Sequence, residues 1–106
     1  MAEPKPPVIW SPEALNDIDQ LWDYYARVAG RSTADKIIRD IVAVVSTIEG
    51  FPLAGRARDE VRMGLRSLAA APQIIFYRLK GGRPEIVRVL DGRRDIEQIF
   101  SDDIQK

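Results

Sequence analysis

Two β-rich runs, Ile74 to Leu79 and Glu85 to Leu90, are separated only by Lys80-Gly81-Gly82-Arg83. A glycine pair between β-branched and aromatic runs marks a hairpin, because tight turns that match strand twist need positive φ at their centre. This hairpin constrains everything else in the chain. A two-stranded ribbon is not stable by itself, so further strands and a covering layer must come from the remaining residues.

The covering layer is written into the N-terminal half. Val8-Ile9-Trp10 reads as a short strand, and Ser11-Pro12-Glu13 as a helix start. The Ser11 hydroxyl can cap a free amide, Pro12 needs no donor in the first turn, and Glu13 suits the positive helix end. Ala14, Leu15, Ile18, Leu21, Trp22, Tyr25 and Val28 then fall on one helical face, and Gly30 closes the helix. Ser32, with Asp35 three places on, predicts the start of a second helix through a capping box with a shortened acid. Its apolar set (Ile37, Ile38, Ile41, Val42, Val44, Val45 and Ile48) is broader, so this helix is expected to be the more buried. Gly50 and Pro52 stop it. So short a joint between the helices makes an antiparallel hairpin.

Leu53 to Met63 is a polar, arginine-bearing connector. Leu65 to Leu68 is a further strand, Ala69 to Pro72 a turn or bulge, and Arg93 to Phe100 a short closing helix. The expected fold is therefore α+β: a helix hairpin on a small antiparallel sheet, in the order β-α-α-β-β-β with a C-terminal helix. Residues 1–7 are expected to be a loose proline-rich tail, and residues 8–106 a single domain.

Composition narrows the function. The chain of 106 residues has no cysteine and no histidine, so thiolate chemistry, disulfides and imidazole acid–base work are excluded. No metal site or cofactor is expected; Asp17, Asp19 and Asp23 are read as facing away from the apolar stripe, without matched ligands. No run has the roughly 18 apolar residues of a membrane span, and the N-terminus does not resemble a signal peptide, so cytoplasmic residence is expected. The net charge is zero but unevenly spread. Up to Leu53 there are five Lys/Arg and eight Asp/Glu; after it, eleven and eight. Such polarity either steers an acidic partner to one face or is merely a solvated surface.

The ordered wording VIWSPEAL, a helix pair, GLRSL, IIFYRL, EIVRVL and GRRDIEQIF resembles the ParE branch of the ParE/RelE toxins of bacterial toxin–antitoxin systems. The likeness runs from Val8 to Phe100. It implies a toxin held inactive by a small ParD-like antitoxin that wraps around it, with DNA gyrase as the target. It implies no membrane partner, and no nucleic-acid contact except through the antitoxin. The related RelE enzymes cut messenger RNA with lysines, arginines and a C-terminal tyrosine. By this resemblance the lysine positions fall on Arg62 and Gly64, the arginine positions on Ile74 and Arg94, and the tyrosine on Phe100. RNA cleavage needs one group to accept the 2′-hydroxyl proton and another to protonate the leaving oxygen. Phenylalanine and isoleucine do neither, and an arginine holds a phosphate without exchanging its proton at neutral pH. Catalytic residues are accordingly expected to be absent. The alternatives are a RelE-like ribonuclease with a reorganised arginine set and an inactive remnant that only binds antitoxin.

Candidate antitoxin contacts are Arg66, Arg78, Ile86, Arg88 and Leu90; candidate target contacts are Arg93, Arg94 and Phe100. Strict alternation puts Ile86, Arg88 and Leu90 on the strand face opposite Val87 and Val89. If the valines face the helices, the other three form an exposed apolar and cationic docking face. Otherwise they are ordinary core. Arg66 either joins such a surface or bridges to an acid or to carbonyls at the strand edge. Arg93 and Arg94 either meet the target or pair locally with Asp91 and Asp95. Trp10, Trp22, Tyr25 and Tyr77 are read as core residues.

Overall fold

The computed structural model describes residues 8–104; the tail expected over residues 1–7 lies outside them. The elements run β1 (Ile9–Trp10), α1 (Pro12–Ala29), α2 (Arg31–Gly50), β2 (Arg56–Ala57), β3 (Arg66–Ala70), β4 (Gln73–Lys80), β5 (Arg83–Asp91) and α3 (Ile96–Ile104). The strands form one sheet in the order β1-β5-β4-β3-β2. The glycine turn is as expected: Lys80 pairs with Arg83, and Gly81 and Gly82 take φ of 60° and 79°.

Ser11 explains how α1 is anchored. Its Oγ accepts from the Ala14 amide at 3.0 Å and donates to the Val87 carbonyl at 2.8 Å. Its own amide donates to the Ile86 carbonyl at 2.9 Å. One cap residue thus ends β1, starts α1 and ties both to β5.

Three sequence expectations need correction. The sheet is mixed, because β1 runs parallel to β5, with Ile9 opposite Glu85 and Trp10 opposite Ile86. The Ser32 capping box does not form. Gly30 alone joins the helices, at φ 97°, so α2 has already begun at Arg31 and has no side-chain cap. Asp35 instead accepts the Trp22 indole N–H at 2.9 Å, linking the two helices. Finally, the connector contains β2, which extends the sheet beside β3.

Both sheet faces are covered. On one, α1 and α2 bring Ala14, Ile41, Val45 and Ile48 against Ile75, Tyr77, Ile86 and Val89. On the other, Ile96 and Phe100 of α3 meet Leu65, Phe76 and Leu90. Burial on two faces explains why Ile75, Phe76 and Tyr77 are consecutive and all fully buried. Helix α3 starts later than expected, at Ile96, where the Asp95 carboxylate accepts the Gln98 amide at 3.1 Å.

The register of β4 and β5 slips once. Phe76 is opposite Arg88, but Tyr77 is opposite Ile86, so Val87 is an extra residue in a bulge. That residue resets the alternation. Ile86 and Val89 both join the α1/α2 core, while Val87 and Leu90 pack on the α3 side. The expected exposed face of Ile86, Arg88 and Leu90 therefore does not exist: Ile86 and Leu90 are buried in different cores.

Candidate partner-binding site

Arg88 leaves the strand to meet α1. Its Nε and Nη2 donate to the two Asp17 oxygens at 2.8 and 2.9 Å, and the Val89 amide donates to Asp17 Oδ2 at 2.9 Å. Asp17 is nearly buried, so its reading as outward-facing is corrected. The signal was available in the sequence. Asp17 is three residues after Ala14 and four before Leu21, which is the spacing of the inward stripe. A carboxylate there satisfies a strand amide that β1, only two residues long, cannot reach.

The other candidate residues separate. Arg66 donates to the Gly55 carbonyl at 2.7 Å, so it holds the segment entering β2. Arg78, half exposed, pairs with the more buried Glu85 across the β4–β5 hairpin at 2.6 Å. Phe100 is fully buried, with its ring edge-to-face on Phe76 at 5.2 Å and the Arg62 guanidinium 4.9 Å from its centroid. That corrects its placement as a surface contact. Tyr77 is core, as expected, with its hydroxyl donating to the Pro52 carbonyl at 2.7 Å and accepting the Gly55 amide at 2.8 Å. Trp10, Trp22 and Tyr25 are only half-buried.

Two concavities gather candidate residues. A cleft of about 340 Å³ gathers Arg62, Arg78 and Arg88 with Glu13 and Glu85. Two of its arginines are already bound to carboxylates and the third lies on Phe100, so the cleft is cationic in composition but largely neutralised.

The larger groove, about 580 Å³, lies between the second half of α1 and the end of β5. Leu21, Val28, Val89 and Leu90 give it an apolar lining; Tyr24 and Tyr25 meet at its wall edge-to-face, 5.1 Å apart. Arg93 and Arg94 line it as well, so the structure brings two of the expected target-contact residues together and leaves Phe100 elsewhere. Arg93, highly exposed, grips Asp91 through Nη2 at 2.8 Å. The Arg93 side chain and backbone N–H both donate to Asp91, holding that carboxyl well below the usual carboxylate range, at about 2. Arg94 makes no ion pair of its own among the described residues. Gln73, at the start of β4, also borders the groove and is 1% exposed. Sequence reasoning missed Gln73 and Tyr24; the adjacency of Tyr24-Tyr25 and Arg93-Arg94 was the available hint.

Comparison with known proteins places this architecture. Residues 8–96 match the family model described as the ParE toxin of type II toxin–antitoxin system, parDE. Toxin ParE1 of Mycobacterium tuberculosis is 34% identical over 89 residues, covering 83% of this chain and 91% of that protein. Toxin ParE3 of Caulobacter vibrioides is 32% identical over 89 residues, covering 84% and 89%. Among solved structures, one of the chromosomal ParDE TA system from P. aeruginosa superposes with a TM-score of 0.72 at 27% identity, covering 82% of this chain and 96% of that one. With the helix hairpin, the sheet and the sequence all in agreement, the chain belongs to the ParE toxin family of type II toxin–antitoxin systems.

Proposed function

We propose that this toxin acts by gripping a protein, with DNA gyrase as the target, and that a ParD-like antitoxin neutralises it. The observation that carries the reading is the state of the positions a RelE-like ribonuclease would use. They hold Arg62, Gly64, Ile74, Arg94 and Phe100. Phe100 is packed in the α3 core and lacks a hydroxyl, and Arg62 is engaged with its ring. Nothing in that set shuttles a proton, so binding rather than bond-breaking is the supported mode of action.

The antitoxin half of the reading is supported by the solved ParDE relative and by the surface itself. Leu15, Val28, Val42, Phe51, Leu53 and Met63 are each more than half exposed, apolar surface that a covering partner would bury. A partner that binds only the folded toxin raises its stability by mass action.

The test separates three outcomes. Purified toxin is added to gyrase supercoiling and, separately, to ribosomes translating a defined message. Inhibited supercoiling with intact message supports the proposal. Cleaved message with unaffected supercoiling replaces it with the ribonuclease. Normal bacterial growth despite soluble toxin and unaffected gyrase reduces the chain to an antitoxin-binding remnant.

A further inference from the structure

Among the described residues, the three most exposed large apolar side chains do not lie on the helices. Leu15, Val28 and Val42 do, but Phe51, Leu53 and Met63, at 71%, 66% and 89% exposure, all belong to the arm that carries β2, residues 51–66. In the sheet, β2 is the edge opposite β1 and is separated by two strands from β5, which borders the groove beside α1.

The arm is held in place from within. The Phe51 amide donates to the Thr47 carbonyl at 2.8 Å, and the Ala54 amide to the Phe51 carbonyl at 2.9 Å. Arg66 donates to the Gly55 carbonyl, and the buried Tyr77 hydroxyl spans Pro52 and Gly55. Past β2, Asp59 accepts the Gly64 amide at 2.8 Å, and the Arg58 amide meets the Leu65 carbonyl at 2.8 Å. Val61 packs against the α3 core, while Met63, two residues on, stays in solvent. Order set in advance lowers the entropy lost when a partner seats such side chains. The charge is one-sided as well. The arm has four arginines and two acids, and both acids are engaged within it: Glu60 by Arg58 at 2.7 Å, and Asp59 by the Gly64 amide. Arg56 is exposed and makes no ion pair among the described residues. Phenylalanine, methionine and arginine are the residue types enriched at the centres of protein–protein interfaces, where acids are depleted.

We propose that this edge is the surface by which the toxin docks on its protein target. Phe51, Leu53 and Met63 enter an apolar socket there, and Arg56 meets carboxylates at its rim. The assignment rests on the gyrase reading above and moves the target contact from Arg93 and Arg94 to the opposite side of the sheet. Two partners need two surfaces, and the exposed helix residues and the α1 groove lie elsewhere. Nucleic acid is a poor fit, because one outward arginine among three apolar anchors offers too few phosphate contacts.

The test measures inhibition of gyrase supercoiling by the full chain and by the variants Phe51→Ser/Leu53→Ser, Met63→Ser and Arg56→Glu. All three change exposed side chains, and thermal midpoints report whether each still folds. The double variant is expected to inhibit at least about thirtyfold less, the scale of lost interface anchors. Arg56→Glu should inhibit about fivefold less, and Arg56→Lys should match wild type. If the double variant unfolds, Met63→Ser and Arg56→Glu decide. Leu79→Ser, partly exposed near the β4–β5 turn, is the control and should inhibit normally. Unchanged inhibition by the folded edge variants would overturn the proposal, as would an equal loss in the control. It also falls if the variants keep inhibition but lose self-association, a bound single-stranded oligonucleotide, or the co-purified product of the neighbouring antitoxin frame. The edge would then serve that other partner, while the gyrase reading stands. Wild type that leaves supercoiling untouched sinks the gyrase reading and this assignment with it.

Discussion

Asp17 and Arg88, 71 positions apart, meet through two N–H···O bonds of 2.8 and 2.9 Å at the junction of α1 and β5. The same carboxylate also accepts the Val89 amide. Both side chains are largely removed from water, at 6% and 14% exposure, so neither charge tolerates the loss of the other. Asp17→Ala is expected to cost about 3–5 kcal/mol of folding stability, measured by urea denaturation. The double variant Asp17→Leu/Arg88→Met should recover a large part of that loss. Arg88→Glu would place two carboxylates together and weaken the fold, so its effect on partner binding must be corrected for unfolding.

The Tyr77 hydroxyl serves both a carbonyl and an amide in the segment after α2. Tyr77→Phe leaves the Pro52 carbonyl and the Gly55 amide without that partner and should cost about 1–3 kcal/mol. Gly55→Ala tests the same contact from the other side. Its new Cβ would lie 2.5 Å from the Tyr77 oxygen and 2.9 Å from the Ser67 carbonyl, so one of them must move. A thermal midpoint unchanged in both variants would refute the role given to this hydroxyl.

Phe100→Ala should remove the centre of the α3 core and cost about 3–5 kcal/mol, with local loss of amide protection in α3. Phe100→Tyr is a different test. It adds a hydroxyl to a fully buried site, yet Gly64 and Ile74 remain where a ribonuclease has charged groups. No ribosome-dependent message cleavage is expected from this variant.

Asp91 gives a pH signature. Its folded pKa is depressed to about 2 from the ordinary 3.8, so the ionised form is favoured by folding. The associated stability is present above about 3.8 and disappears as pH falls through about 2. Carboxyl NMR should follow Asp91 titrating in that low range. In Arg93→Ala the midpoint should rise toward 3.8, because the Arg93 side chain is the largest cause of the shift.

What could be read from the residues alone was local. Gly81-Gly82 specified a turn because few other residues take its positive φ, and Ser11-Pro12-Glu13 specified a helix start because each side chain meets a defined need of the first turn. The two helices, their hairpin, the three later strands and the closing helix followed from periodicity and joint length, although Leu15, Val28 and Val42, read as part of the apolar stripes, are more than half exposed. These are near-neighbour effects, and the sequence contains their causes.

The arrangement of the candidate site was decided at longer range. One extra residue at Val87 turned Ile86 and Leu90 toward opposite cores, and no alternation pattern announces a bulge. Asp17 became a buried ligand because β1 is too short to satisfy the edge of β5, a shortage that exists only once the sheet is assembled. Likewise the groove of Tyr24, Gln73 and Arg94 joins residues from α1, β4 and the loop before α3. Sequence alone determined most of the elements this toxin has, β2 excepted. Packing decided which of its charges are paired within the fold and which face solvent.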